Sequence, residues 1–414
     1  MEKKTIVLYP GLAVSHFVPM LQLADALLEA GYAVTVALID PSLKPDIAFV
    51  AAVDHAAASK PAVTFHKLPV LRDPPSPITY DGHFLLGYFN LVSRYNHPLH
   101  DFLRSMPPGS VHALVMDMLS IEALDVARKL GIPAYTFFAS NASALATSIQ
   151  VASVRAAEGQ PSFGEMGDAP LDLHGVPPLP ASHLFAELLE SPETEIHRSV
   201  ANTLRRVQEA DGVLVNSFES LEPRAVGALG DPPVYCVGPL VAGAGVAARD
   251  KRAEECLAWL DAQPDRSVVF LCFGGAGAGN HSEEQIKEIA VGLEKSGHRF
   301  LWVVRTPPPP PPPQGDPAEK PFDPRADPDL DALMPEGFLE RTSGRGLVVK
   351  LWAPQVDVLR HRATGAFVTH CGWNSVLEGI MAGVPMLCWP LYAEQKMNKV
   401  FMVEEYGVGV DMEG

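Results

Sequence analysis

The sequence has little cysteine, no long apolar run and a deficit of positive charge. Its five cysteines are widely spaced and lie mostly within apolar segments, which is typical of buried free thiols in a reducing compartment rather than of a disulfide framework. No segment approaches the roughly 18 consecutive apolar residues of a membrane span. The amino-terminal "MEKKTIVLYPG" has too short an apolar core for a secretion signal. We therefore expect a cytoplasmic protein without a membrane span.

The shortage of basic residues restricts the partners of the chain. Lys and Arg number 32 against 49 Asp and Glu, for a formal charge of −17, so a nucleic-acid backbone would be repelled. Nucleic acid is therefore excluded as an expected partner. A small anionic ligand would have to be held locally, by helix N-termini, backbone N–H groups and a few placed side chains.

Strand and helix patterns alternate along the chain. "KTIVLYPG" predicts a strand, "FVPMLQLADALLEAG" has apolar residues on one helical face, and "YAVTVALID" predicts a second strand. Similar short apolar strands recur at "VHALVMD", "GIPAYTFFAS" and "GVLVNSFESL". Repeated strand–helix–strand units predict an α/β protein with doubly wound parallel sheets.

A chain of 414 residues exceeds what a single core usually serves, so we expect two domains. The small, aperiodic segment 241–252 separates two α/β series and is the predicted linker. It divides an amino-terminal domain, 1–240, from a carboxy-terminal domain, 253–414. Seven prolines at 307–313 cannot join a sheet and predict an extended surface loop.

The chemistry is most concentrated at "FVTHCGWNSVLEG" in the second series. "GAFVTH" predicts a strand and "NSVLEGIMAG" a helix, so His370, Gly372 and Ser375 lie at a strand-to-helix turn. Such a turn at the carboxyl end of a parallel strand is a ligand site, with Gly372 allowing close approach of the backbone. Ser375-x-x-Glu378 equally matches a capping box that binds nothing. A metal site is disfavoured because no further Cys or His follows at ligand spacing.

Two neighbouring strand ends add complementary groups. Trp352 and Gln355 follow "GLVVKL", offering a flat aromatic ring and an amide, and Glu394 and Gln395 follow "PMLCWP". An aromatic ring suits a stacked base, although a lone Trp is more often a core residue, and the carboxylate and amide suit sugar hydroxyls. Together with the turn at His370, they place a base-stacking ring, phosphate donors and hydroxyl acceptors on successive strand ends of one sheet.

This arrangement resembles the signature box of the plant family-1 UDP-glycosyltransferases, which here runs from Trp352 to Gln395 without a gap. Further segments resemble the same family, and the resemblance extends over essentially the whole chain. They are "VLVNSFESLEP" (213–223), "CLAWLDAQPDRSVVFLCFGG" (256–275) and "MPEGFLERTSGRG" (334–346).

The resemblance implies a GT-B fold, in which two Rossmann-like domains face each other across a cleft, with acceptor bound by the first and UDP-sugar by the second. It implies an inverting transferase that uses UDP-glucose as co-substrate, needs no metal or other cofactor, and is a monomer. The final glutamine favours glucose, although some galactose-using members carry His there. The implied donor-binding residues are Trp352, Ala353, Gln355, His370, Gly372, Trp373, Asn374, Ser375, Glu378, Glu394, Gln395, Gly275 and Gly277.

The implied catalytic pair is His16, in the loop after the first strand, with Asp117 at the tip of "ALVMD". A lone loop histidine is usually only solvent-exposed, but a carboxylate at a neighbouring strand end would fix its tautomer and stabilise its protonated form. The acceptor is expected to be a small phenol of flavonoid or anthocyanidin type. The residues expected to line its site, unless they are simply core, are Phe84, Phe89, Phe138 and Ser140.

Two departures from the family pattern leave an alternative open. In "FGGAGAG", Gly275 and Ala278 stand where the family commonly has hydroxyl residues, which predicts weaker donor binding. The family also continues beyond the position of Gly414, which predicts lower stability. The alternative is therefore an impaired UDP-sugar binder or an unstable truncated product. A Rossmann oxidoreductase is disfavoured because "YPGLAVSHF" lacks Gly-x-Gly-x-x-Gly.

Overall fold

The chain divides into two compact units, Met1–Val241 and Ala242–Gly414. The computed structural model describes residues 4–39, 47–72, 84–154, 161–241, 251–275, 281–307 and 326–412. Gly277 and Ala278, most of the predicted linker and all but the first of the seven consecutive prolines lie outside these ranges. Within them, no helix combines the length and apolar character needed to cross a membrane.

The first unit begins with the predicted strand–helix–strand unit. Val7, Leu8 and Tyr9 are fully buried in the first strand, and the following helix buries Phe17 and Met20 beneath it. The helix begins at Val14, earlier than its apolar periodicity predicts. His16 therefore lies in the first turn of a helix and not in a loop.

The elements of the first unit, in chain order, are β1 (Thr5–Tyr9), α1 (Val14–Glu29), β2 (Ala33–Leu38), α2 (Ile47–Ser59), β3 (Val63–Lys67), α3 (Phe84–Arg94), α4 (Asn96–Ser105), β4 (Val111–Asp117), a 3-10 helix (Met118–Ala123), α5 (Leu124–Leu130), β5 (Ala134–Phe138), α6 (Ala142–Ser153), α7 (Phe163–Met166), β6 (Pro170–Leu171), β7 (Leu179–Pro180), a 3-10 helix (Ala181–His183), α8 (Ala186–Leu189), α9 (Glu195–Val207), β8 (Gly212–Val215), α10 (Pro223–Ala228) and β9 (Val234–Cys236).

The main sheet of this unit is parallel, with the described strands in the order β3-β2-β1-β4-β5-β8-β9. The strand order reverses between β1 and β4, whose register pairs Leu8 with Val115 and Tyr9 with Met116. The carboxyl ends of these two strands therefore lie side by side. In open α/β sheets this point of reversal is where ligands bind.

The elements of the second unit, in chain order, are α11 (Lys251–Asp261), β10 (Val268–Cys272), α12 (Glu283–Ser296), β11 (Arg299–Val304), α13 (Leu330–Leu333), α14 (Phe338–Thr342), β12 (Gly346–Lys350), α15 (Gln355–Arg360), β13 (Thr364–Thr369), α16 (Trp373–Ala382), β14 (Met386–Cys388), α17 (Gln395–Val400), a π-helical turn (Phe401–Glu405) and β15 (Gly409–Asp411).

The second sheet repeats the topology of the first. Its described strands are parallel and follow the order β12-β11-β10-β13-β14-β15, so the reversal falls between β10 and β13. Cys272 pairs with Thr369, and Thr369 pairs with Cys388. The residues that follow β10, β13 and β14 consequently emerge at one sheet edge, which is the edge that the sequence patterns predicted for the polar groups.

Candidate functional site

In the first unit, the strand ends bring a histidine and an aspartate into contact. His16 Nδ1 lies 2.8 Å from Asp117 Oδ2, and the two side chains are 23% and 0% exposed. The other carboxylate oxygen, Oδ1, accepts the Leu119 N–H at 2.9 Å, which fixes the orientation of the carboxylate. An acidic partner on Nδ1 favours the tautomer with its proton there, so Nε2 becomes the basic nitrogen of the ring.

A buried tyrosine supports the chain between β1 and His16. The Tyr88 hydroxyl accepts the Leu12 N–H at 2.9 Å, and a Cβ on Gly11 would lie 2.0 Å from that same oxygen. Burial, reinforced by the nearby Asp117 charge, raises the pKa of Tyr88 far above its usual range. Tyr88 therefore remains a neutral support, and the sequence patterns gave no sign of it.

The residues predicted to line an acceptor site differ in accessibility. Phe84 is 45% exposed, with its ring centroid 6.2 Å from that of Tyr88, and the partly buried Phe89 packs edge to face on Tyr88 at 6.1 Å. Phe138 and Ser140 are only 2% and 9% exposed. Within this set, Phe84 offers the accessible aromatic surface, and Phe138 and Ser140 are interior residues of the unit.

In the second unit, His370 follows β13 and its ring fills space left by two glycines. Cβ atoms on Gly274 and Gly372 would lie 2.7 Å and 2.4 Å from His370 Nε2. Gly372 is therefore required by the packing of His370, rather than by the approach of a ligand alone. Burial, and secondarily the charge of Arg305, lowers the pKa of His370 to about 4. The imidazole is consequently neutral at physiological pH.

The capping-box interpretation of Ser375 and Glu378 is wrong. Helix α16 begins at Trp373 with Gly372 as its N-cap, so Ser375 does not occupy the capping position. Ser375 Oγ instead accepts a hydrogen bond from Gln355 Nε2 at 2.8 Å. The backbone N–H groups at this helix N-terminus, together with the helix dipole, suit an anion.

The turn before α16 is strained and is held by a residue that the sequence patterns did not indicate. Cys371 has a φ of +64°, a conformation that costs roughly 1–2 kcal/mol for a residue other than glycine. Its N–H donates to Thr369 Oγ1 at 3.2 Å, and its carbonyl accepts from Asn398 Nδ2 at 2.9 Å. Asn398 is fully buried on α17, so it positions the turn from a distance of 27 residues.

Gln355 joins the ends of two elements through its amide. Besides Ser375, its Nε2 donates to Glu378 Oε2 at 2.7 Å. Burial raises the pKa of Glu378 to about 7, although the hydrogen bond from Gln355 opposes this. Glu378 is thus an acceptor whose charge changes near neutral pH.

The raised pKa of Glu378 makes the stability of the unliganded protein depend on pH. The folded protein retains a proton that the unfolded chain releases between the ordinary pKa of 4.5 and about 7. The contribution of Glu378 to the free energy of unfolding is complete below pH 4.5 and is lost as pH rises through 7. The loss is on the order of 3 kcal/mol. Urea unfolding at pH 5 and pH 8 should show this loss in the wild type and not in Glu378→Gln. An equal loss in Glu378→Gln would contradict the assignment, and the exposed Glu404→Gln should behave as wild type.

The two tryptophans predicted for the donor site lie in different environments. Trp352 is 38% exposed after β12 and follows Leu351, whose φ is +66°. Trp373 is 3% exposed, and its ring packs on Tyr406 with centroids 6.3 Å apart. Trp352 therefore presents a ring for stacking beside the buried Ala353, whereas the Trp373 ring is used in packing.

Gln395 is oriented by its own loop. It is 2% exposed, and its Oε1 accepts the N–H groups of Leu391 and Tyr392 at 2.9 and 3.0 Å. Because Oε1 already accepts two hydrogen bonds, the amide presents its NH₂ group as a donor. Glu394 precedes it as the N-cap residue of α17, and Asn374 lies in the first turn of α16.

Comparison with known proteins adds an independent finding. A family profile described as "UDP-glucoronosyl and UDP-glucosyl transferase" matches residues 232–413. UDP-glycosyltransferase 88B1 of Stevia rebaudiana is 37% identical over 99% of this chain and 86% of its own length. Anthocyanidin 5,3-O-glucosyltransferase of a Rosa hybrid cultivar is 37% identical over 98% and 85%. The crystal structure of Medicago truncatula UGT71G1 with UDP-glucose superposes with a TM-score of 0.81 at 30% identity, covering 99% of this chain and 85% of that one.

Proposed function

Because the chain belongs to the plant UDP-glycosyltransferase family, we propose that it transfers glucose from UDP-glucose to a hydroxyl of a small phenol. The predicted GT-B fold is confirmed by the likeness to solved family members and by two parallel α/β sheets. Glycosyl transfer is the activity of the family. Glucose as the sugar, a phenol as the acceptor and the roles of individual residues are proposed.

The observation that carries this proposal is the contact between His16 and Asp117. It lies at the reversal point of the first sheet, where a ligand is expected, and it couples a partly exposed imidazole to a fully buried carboxylate at 2.8 Å. An imidazole held in this way is a suitable general base for a phenol, whose ordinary pKa is about 10. Phe84, near Tyr88, supplies an aromatic surface for a flat acceptor.

The second unit supplies the groups that a nucleotide sugar requires. Trp352 stacks on the base, with the buried Ala353 pairing through its backbone, and Gln355 and Glu378 bind ribose hydroxyls. The N-terminus of α16, with Asn374 and Ser375, and the neutral His370 bind the diphosphate. Glu394 and the NH₂ group of Gln395 bind sugar hydroxyls. Gly275 contributes a backbone N–H.

The reaction then proceeds in one displacement. His16 Nε2 removes the phenolic proton as the oxygen attacks the anomeric carbon, while the bond from that carbon to the phosphate oxygen breaks. Asp117 stabilises the imidazolium, which later releases its proton to solvent, and UDP leaves with its negative charge held at α16. Attack opposite the leaving group gives a β-glycoside from the α-linked donor.

The proposal is tested by incubating the purified chain with UDP-glucose or UDP-galactose and a panel of flavonoids, anthocyanidins and aliphatic alcohols. UDP release and glycoside mass are measured together. We expect equal amounts of UDP and phenolic glucoside, with UDP-glucose preferred. UDP formed with free glucose, or product only from aliphatic alcohols, would contradict the proposal.

The second candidate, an impaired UDP-sugar binder, is favoured by one observation. Gly275 lacks the hydroxyl that the family pattern places there, and no described atom lies within 4 Å of the position of a Cβ at Gly275, so packing does not require glycine. An increase in melting temperature on adding UDP-glucose, without any glycoside being formed, would establish this candidate instead.

All five cysteines are free thiols, which supports a reducing compartment such as the cytoplasm.

A further inference from the structure

Arg305 lies directly after β11 at the same sheet edge as His370. Its Nε donates to the Gly274 carbonyl at 3.2 Å, and a Cβ on Gly274 would lie only 2.7 Å from His370 Nε2. Its charge is also close enough to contribute to lowering the pKa of His370. Arg305, Gly274 and His370 thus form one contiguous group at the ends of β11, β10 and β13.

The guanidinium of Arg305 is partly buried and has no counter-ion among the described residues. Its surroundings are the Gly274 carbonyl, the Cys272 thiol, the neutral His370 and the Tyr392 phenol. Burial lowers the pKa of Arg305, yet an arginine stays charged in a protein. Of its five N–H donors, four have no acceptor in the described part of the chain. A partly desolvated cation in this state is expected to bind an anion.

The assigned donor site also lacks a cation. The residues proposed above to bind UDP-glucose include two carboxylates, Glu378 and Glu394, and a histidine that is neutral, but no Lys or Arg. The chain carries a formal charge of −17, so the overall field does not attract a diphosphate. The N-terminus of α16 supplies only a partial positive charge of about half a unit.

We propose that Arg305 binds the diphosphate of the donor through its Nη groups and supplies the full positive charge that the other donor residues lack. This inference rests on the proposed function, because it places UDP beside His370. Arg305 also compensates for the hydroxyl that is absent at Gly275, because a charge-assisted hydrogen bond is stronger than one from a neutral hydroxyl.

The test compares UDP with uridine, which differs only in the diphosphate. Calorimetric affinities are measured for the wild type, Arg305→Met, Arg305→Lys and the control Arg362→Met. Arg362 pairs with Asp265 before the amino end of β13, away from the proposed site. We expect Arg305→Met to weaken UDP binding by about 10- to 100-fold while uridine binding is unchanged. Arg305→Lys should lose less, and the control should match the wild type.

Two results would overturn the inference and leave the proposed function standing. In one, Arg305→Met weakens UDP and uridine by the same factor, which would indicate a structural role through Gly274. In the other, UDP affinity is unchanged in a variant whose melting temperature without ligand equals that of the wild type. If the wild type itself binds UDP no better than uridine, both the inference and the proposed donor are wrong.

Discussion

Replacing His16 with alanine lowers the rate of glycosyl transfer by about 10²- to 10⁴-fold, the usual contribution of a general base, and leaves UDP affinity unchanged. The first effect follows because no other described group is placed by Asp117 to accept the phenolic proton. The second follows because the residues assigned to the donor all lie in the second unit. Initial rates of glycoside formation and calorimetric UDP binding measure the two effects separately.

The chain offers a matched control for this experiment. His97 and Asp101 form a second histidine–aspartate pair, with Nδ1 3.4 Å from Oδ2, but both side chains are more than half exposed. His97→Ala should retain wild-type rates. A His16→Ala variant that retains the wild-type rate, or a His97→Ala variant that loses it, would show that His16 is not the general base.

Changing Asp117 to asparagine should lower the transfer rate by about 10²-fold or more while the protein stays folded. The amide oxygen can still accept the Leu119 N–H that Asp117 Oδ1 accepts at 2.9 Å, so the NH₂ group then faces His16. That group donates to Nδ1 and moves the ring proton to Nε2, which leaves the imidazole in the wrong tautomer for a base. The loss of the carboxylate also removes the charge that stabilises the imidazolium.

Two further measurements distinguish this role from general destabilisation. The double variant His16→Ala/Asp117→Asn should be about as slow as His16→Ala alone, because the residues act as a unit. Asp101→Asn, in the exposed pair, should have the wild-type rate. Additive losses in the double variant would mean that Asp117 acts independently of His16.

Much of the fold is predictable from short apolar runs. "VHALVMD" forms β4 over Val111–Asp117 as expected, and "GAFVTH" forms most of β13, Thr364–Thr369. These strands are readable because a strand buried on both faces of a parallel sheet needs a continuous apolar run. The start of α1 was missed because Val14 and His16 belong to its first turn without continuing the apolar face.

The candidate site was predictable only where its residues follow strands. His370, Trp352 and Gln395 occupy the expected sheet edge because parallel strands end together. Residues that act across long sequence distances gave no local signal: Asn398 holds the Cys371 carbonyl, and Tyr88 holds the Leu12 N–H. Arg305 also follows a strand directly, so a lone cation in that position was a signal that the sequence patterns contained.

The burial of individual side chains was the least predictable property. Aromatic residues in apolar segments occur both in cores and on surfaces, and only the packing of the unit places Phe138 inside and leaves Phe84 exposed. The same holds for Trp352 and Trp373, which belong to one motif but differ more than tenfold in exposure, at 38% and 3%. Residue type and spacing give the chemistry of a site, whereas tertiary packing determines which groups a ligand can reach.

The most direct measurement of the central claim is the anomeric configuration of the product together with its stoichiometry. Proton NMR should monitor the product that the wild-type chain forms from UDP-glucose and a flavonoid. The His16→Ala variant, under the same conditions, is the control. Direct attack by an oxygen activated by His16 predicts a β-glucoside and UDP in a one-to-one ratio, with product nearly absent for His16→Ala. An α-glucoside, or equal product from His16→Ala, would contradict it.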